Sequence, residues 1–158
     1  MRPSLKHPTL ELRAPDTCTL VDDAVAIASL YRCLTRYLYQ RPHLSREVTA
    51  VERAIAVENK WRAQRYGTDC IFASKDGPVT ISEMLSRIID DTAEDADALG
   101  CAAEIEHCRT IVDRGSSAEF QLRAYRDNGG DIAAVSRWIA TSTISGTSAP
   151  IGRSASLA

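Results

Sequence analysis

What this chain lacks narrows its function first. No uninterrupted apolar stretch reaches the ~20 residues that a membrane-spanning helix needs, and the opening residues carry no secretory-type apolar core. Basic and acidic residues nearly balance, 19 against 21, for a net charge of −2. No Lys/Arg cluster is present, so the electrostatic footprint of a nucleic-acid binder is missing. There is no Gly-rich phosphate loop, no GxSxG elbow, no HExxH pair and no internal repeat. Cys18, Cys33, Cys70, Cys101 and Cys108 form no CxxC pair, and Cys101 and Cys108, seven apart, lack zinc-site spacing. Such an odd, scattered set is expected to stay reduced and partly buried in a reducing compartment. His7, His43 and His107 lie apart and read as structural or exposed. The expectation is a soluble cytoplasmic protein.

What is present fits one globular domain. The chain has 158 residues and 44% hydrophobic residues, enough for a single core. In Thr9-Leu10-Glu11-Leu12-Arg13, polar and apolar residues alternate, so the segment from Arg2 to Arg13 reads as one strand. A lone strand needs a neighbour for its backbone groups, and the chain therefore looks like the back portion of a larger fold. After the turn at Ala14-Pro15-Asp16, Thr19 is the expected N-cap of a helix over about residues 20–40. Its apolar period runs through Val25 or Ala24, Ile27, Leu30 or Tyr31, Leu34 and Leu38, and Arg41-Pro42 ends it. Ser45 is the expected cap of a second long helix with a stripe at Val48, Val51 and Ile55, closed by Gly67.

Cys70-Ile71-Phe72-Ala73 and Val79 flank the turn Lys75-Asp76-Gly77-Pro78, a small hairpin. Thr80 with Glu83, and Ser116 with Glu119, are capping-box pairs ahead of further helices. Between them lies a helix from Gly100 to Gly115, and Asp131 caps a last one. The acidic run from Asp90 to Asp97 lacks the Gly and terminal Glu of an EF-hand loop and reads as a solvated helix junction. From Thr141 the chain is rich in Ser, Thr, Gly and Ala, a tail expected to be disordered. The fold class is α+β, mostly helical, with one N-terminal strand and a small hairpin. The domain covers residues 1–140 and the tail 141–158.

Two segments carry candidate chemistry. On the second helix, the stripe continues into Glu58 or Asn59, Arg62, then Arg65 or Tyr66. Either the helix ends in water, or this half lines a polar cavity where an arginine reaches an anion. On the front strand, the Thr9, Glu11 and Arg13 face is either simply solvated or a metal and phosphate station, since a carboxylate is a hard oxygen ligand.

Together, Arg2-Pro3-Ser4 leading into His7-Pro8-Thr9-Leu10-Glu11-Leu12-Arg13, and Glu58-Asn59-Lys60-Trp61-Arg62-Ala63-Gln64-Arg65-Tyr66-Gly67, resemble the carboxylate–amine ligases of the glutamate–cysteine ligase 2 group. A weaker likeness follows through Gln121, Leu122, Tyr125, Gly130-Asp131 and Trp138, so the resemblance covers about residues 2–140. It implies the C-terminal part of a glutamine synthetase-like fold, a curved sheet forming a funnel with helices outside. It also implies ATP and Mg²⁺ as cofactors, and amide formation from a glutamate-like carboxylate and an amine through an acyl phosphate.

By the same resemblance, Glu11 contributes to the metal–nucleotide site and Arg13 neutralises phosphate or substrate carboxylate. Asn59 and Arg62 line the substrate side, and Arg2, Arg65 and Tyr66 are secondary candidates. Family members are about twice as long, with earlier strands and an acidic Mg²⁺-binding stretch. The chain by itself is therefore expected to be inactive. Its expected partners are a separate N-terminal half or a second copy joined at the first strand's edge. The competing reading is a non-catalytic helical interaction module derived from that family.

Overall fold

The longest helix, α1 (Val21–Gln40), contributes Ala26 and Cys33 to the core. The structure is a computed structural model describing residues 2–12, 14–44 and 47–146. Two short strands, β1 (Arg2–Pro3) and β2 (Leu10–Glu11), precede α1. A 3₁₀ turn at Pro42–Leu44 and α2 (Ala50–Tyr66) follow it, then a second 3₁₀ turn at Gly67–Asp69. Next come β3 (Ile71–Phe72), β4 (Val79–Thr80), α3 (Ile81–Asp91) and α4 (Ala93–Leu99). The chain closes with α5 (Ala102–Arg114), α6 (Ser117–Asp127) and α7 (Ile132–Gly146). The mostly helical α+β reading holds.

The core lies where α1 meets α3, α4 and α5, and is built from Ala26, Cys33, Leu85, Ile89, Ala96, Cys101, Ile105 and Cys108. Helix α1 lies along α5, while α6 pairs with α7 through a stacked Phe120–Trp138 contact, 5.8 Å between ring centres. The buried face of α1 is Asp23, Ala26, Ser29 and Cys33, whereas Val25 and Leu38 face outward. Of the expected stripe, Leu30 packs partly buried against the core and Ile27 and Leu34 are half-buried, while the fully buried positions fall on smaller residues. Small side chains at a helix contact let the two backbones approach closely. The five cysteines are all free, as expected. Cys33 and Cys101 place their sulfurs 3.5 Å apart inside the core, and burial pushes the Cys33 thiol up to about 12.

Thr80–Glu83 and Ser116–Glu119 form their expected capping boxes. Thr19 does not cap α1; Leu20 occupies that position, and the buried Thr19 hydroxyl instead donates to Ser117 Oγ at 3.3 Å. Ser45 lies outside the described residues, and α2 starts later, capped by Thr49 with Glu52 in a reciprocal box. That pair satisfies two backbone donors at once, which a serine without a partnering Glu cannot do. At the other end, α7 continues to Gly146, so residues 141–146, expected in the disordered tail, are helical.

The front segment is not one strand. Ser4 Oγ accepts from the N–H groups of Lys6 and His7, folding the chain back so that β1 and β2 pair antiparallel, Arg2 opposite Glu11 and Pro3 opposite Leu10. The strand expected to lack a companion thus finds a two-residue one within its own segment. β3 and β4 form a second antiparallel pair, Ile71 opposite Thr80 and Phe72 opposite Val79. Among the described residues the strands make these two separate pairs, and a curved funnel sheet is not formed.

The acidic run is also more structured than expected. Thr92 is fully buried and turns its hydroxyl back onto Ile88 O at 2.7 Å, separating α3 from α4. Asp95 is 1% exposed and ion-paired. A carboxylate in that environment is retained only with partners.

Candidate functional site

The helix α2 presents its polar half to the β3–β4 hairpin. Asn59, one helical turn from both Ile55 and Arg62, faces the strand edge. Its Nδ2 donates to Ala73 O and its Oδ1 accepts from Ala73 N–H, both at 2.8 Å. Arg62 donates through Nε to Glu58 Oε1 at 2.7 Å and through Nη1 to Ile71 O at 3.1 Å. The geometry thus spends both side chains on the hairpin backbone. Asn59→Ala is expected to cost about 1–3 kcal/mol by leaving the Ala73 groups unpaired in a half-buried place. The loss reads out as faster amide exchange at Ala73, with the α1–α5 core protection unchanged; equal protection at Ala73 would mean that the clamp carries nothing.

Arg65, one turn further on, lines a cleft of about 720 Å³ between the end of α2, the Gly67–Asp69 turn and the α5–α6 junction. Its guanidinium lies 5.9 Å from the Tyr66 ring centre. Arg114, Arg123 and Arg126 line the same cleft, together with Asp69, Asp113 and Glu119. The cleft is thus charged in both signs and suits a zwitterionic or polar occupant better than an apolar one.

Glu119 organises the floor. It accepts from Thr68 N–H at 3.2 Å, from the Thr68 hydroxyl at 2.7 Å, and from the Ser116 N–H of its own capping box. Burial opposes its ionisation, but the hydrogen bonds from Ser116 and Thr68 more than offset this and hold its carboxyl below the usual carboxylate range. Gly67 permits the arrangement: with φ of +58°, a Cβ there would sit 2.9 Å from Glu119 Oε1. Sequence reasoning saw the Ser116–Glu119 box but not its reach to Thr68, fifty-one residues away.

The front station is separate. None of the substantial packing contacts among the described residues joins β1 or β2 to α2. Glu11 sits in the short ladder opposite Arg2, and is half-buried. Arg13 and the side chain of Arg2 lie outside the described residues. Among the described residues no three His, Cys, Asp or Glu side chains gather where they could hold a metal ion. Glu11 by itself therefore does not make a Mg²⁺ site, which needs several oxygen donors in near-octahedral array.

Sequence reasoning missed two ionic clusters. Asp23, 4% exposed, accepts from Arg114 at 2.6 Å and lies 2.9 Å from His107 Nε2, tying α1 to α5. Asp95 accepts from Arg36 at 2.6 Å and Arg41 at 3.2 Å. Both are built from residues far apart in the chain, so no local pattern announces them. No helix among the described residues is long and apolar enough to cross a membrane.

The profile described as "Glutamate-cysteine ligase family 2(GCS2)" matches residues 1–137, and the chain belongs to that family. A protein of Bradyrhizobium diazoefficiens, named "Putative glutamate--cysteine ligase 2", is 88% identical over 146 residues, covering 92% of this chain and 34% of that relative. A Bradyrhizobium sp. (strain ORS 278) protein of the same name is 67% identical, covering 95% of this chain and 37% of its own length. One from Rhodospirillum rubrum, again of that name, is 40% identical over 80% of this chain and 33% of its own. The chain thus spans about a third of the length of these relatives, where the resemblance had suggested about half. No solved structure matches.

Proposed function

We propose that this chain is the C-terminal part of an ATP-dependent carboxylate–amine ligase, one that forms an amide from a glutamate-like carboxylate and an amine through an acyl phosphate. The observation that carries the reading is the family match over residues 1–137. In the assembled enzyme, with a glutamine synthetase-like sheet completed by the rest of the domain, Glu11 contributes one carboxylate to a shared Mg²⁺–ATP site. Arg13 and Arg2 neutralise phosphate or carboxylate beside it. Asn59 and Arg62 hold the hairpin that borders the substrate side, and Arg65 meets an anionic group in the cleft. The metal site is not built by the described residues of this chain, so catalysis needs the remainder, and the cytoplasm is the compartment that fits free thiols.

One observation favours the non-catalytic alternative, an interaction module derived from the family. Asn59 and Arg62 are both engaged by backbone groups rather than turned to an open site. The test is glutamate- and cysteine-dependent ADP release. The chain by itself is expected to give none, and co-expression with the remaining portion of the Bradyrhizobium diazoefficiens relative is expected to restore it. Glu11→Ala in that complex is expected to lower turnover at least about tenfold. A well-formed complex with no ADP release would favour the module; undiminished turnover of the Glu11 variant would remove the metal role.

A further inference from the structure

Helix α2 is seventeen residues long and none of its residues is buried. Its half-buried side, with Ile55, Asn59 and Arg62, rests on the β3 edge. At 100° per residue, Ala50, Ala54, Val57 and Trp61 fall within about 60° of one another on the opposite side. Their spacing of four, three and four is that of a helix face made to pack. All four are exposed, Val57 at 66% and Trp61 at 51%, and Val51 on the flank is 69% exposed. Trp61 is braced edge-on against Tyr66, ring centres 5.9 Å apart, which reduces the entropy lost when it is covered. Arg53 and Lys60 lie exposed along one border of the stripe.

A helix with nothing buried gains little from its own packing, and an exposed apolar stripe ending in a tryptophan suits an interface. We infer that the Ala50–Ala54–Val57–Trp61 face of α2 is the docking surface for the part of the ligase domain that this chain does not contain. The chain covers only about a third of the length of these relatives, so about two thirds of each lies outside the matched segment and is available to supply the partner surface. A second copy fits less well. The stripe is about 16 Å long and offers far less than the ~800 Å² per partner that a stable pair buries, so it is one patch within a larger contact. Arg53 and Lys60 require acidic or neutral groups along the matching border of the partner.

The inference rests on the ligase reading only for the partner's identity, and its test is read without catalysis. The tagged chain is co-expressed with the remaining portion of the Bradyrhizobium diazoefficiens relative, as wild type and as the Val57→Glu/Trp61→Glu double variant. Because both side chains are exposed, the variant is expected to keep its circular dichroism spectrum. Wild type is expected to co-purify with the partner in stoichiometric amount, and the variant to lose at least nine-tenths of it. Hydroxyl-radical footprinting by mass spectrometry is expected to show Trp61 protected at least fivefold in the complex, with Trp138 unchanged. A variant that loses its helical signal is replaced by Val57→Ser/Trp61→Ala with the same expectation.

Equal recovery with the variant, no recovery with wild type, or an accessible Trp61 in the complex would each overturn the inference. So would a concentration-dependent dimer of the chain by itself that the double variant abolishes. A complex that forms through α2 but releases no ADP would sink the ligase reading and leave this one standing, whereas an active complex of the double variant would do the reverse.

Discussion

Replacing Asp95 with alanine is expected to lower the unfolding free energy by about 2–3 kcal/mol. The carboxylate is 1% exposed and holds Arg36 Nη1 at 2.6 Å and Arg41 Nη1 at 3.2 Å. Arg36 lies in the last turns of α1 and Arg41 just beyond it, where Arg41 also covers the Tyr37 ring at 4.1 Å. One buried acid thus ties the end of α1 to α4. Breaking a fully buried pair costs about 3–5 kcal/mol because a charge is left stranded. Here the stranded groups are guanidiniums that keep about a third of their surface in water, 36% and 28%, so the lower figure applies. Asp95→Asn keeps the volume and part of the hydrogen bonding and is expected to lose about half as much. Urea denaturation followed by circular dichroism measures both; a change within ~0.5 kcal/mol, the range of ordinary surface substitutions, would show that the pairing is incidental.

Ile105→Ala is expected to be the costliest single truncation, at about 3–4 kcal/mol. Ile105 is 2% exposed and sits in the core cluster with Leu85, Ile89, Cys101 and Cys108. Deleting its methylenes loses their transfer energy and leaves a cavity between helices that are held together by other contacts and cannot collapse around it. Ile105→Val should cost only about 1 kcal/mol. On α2, Val57→Ala at a 66% exposed position should stay within ~0.5 kcal/mol in the chain by itself. That contrast, measured in one denaturation series, separates the core that this chain owns from the apolar face it presents. A cost for Ile105→Ala below ~1 kcal/mol would mean that the α1–α5 core is loosely packed.

Much of the element plan was readable locally. Thr80 and Glu83, or Ser116 and Glu119, act on donors within three residues, so the pair identifies a helix start wherever it occurs. The same signal stands at Thr49 and Glu52, where α2 starts. The hairpin around Lys75 to Pro78 was readable for the same reason, since its turn residues set the geometry themselves. The front segment was harder. Alternation at Thr9 to Arg13 suggested a strand, but it does not say where a strand ends, and Ser4 folds the segment back on itself.

The candidate site was legible in residue type more than in role. Asn59, Arg62 and Arg65 lie on a polar half of α2, as the broken apolar stripe indicated, yet only Arg65 opens onto the cleft. The backbone at Ala73 and Ile71, fourteen and nine positions away, claims the first two.

The amino-acid order by itself determined the helical character of the chain, its capping boxes, its glycine stops and its family likeness, because each depends on residues within a few positions or on a motif read as written. Tertiary structure alone decided which face of α1 is buried, that Asp23 and Asp95 lie inside with arginines from distant helices, and that Glu119 reaches Thr68. Burial is a property of what packs against a residue, and that neighbour is supplied by chain folded back from dozens of positions away.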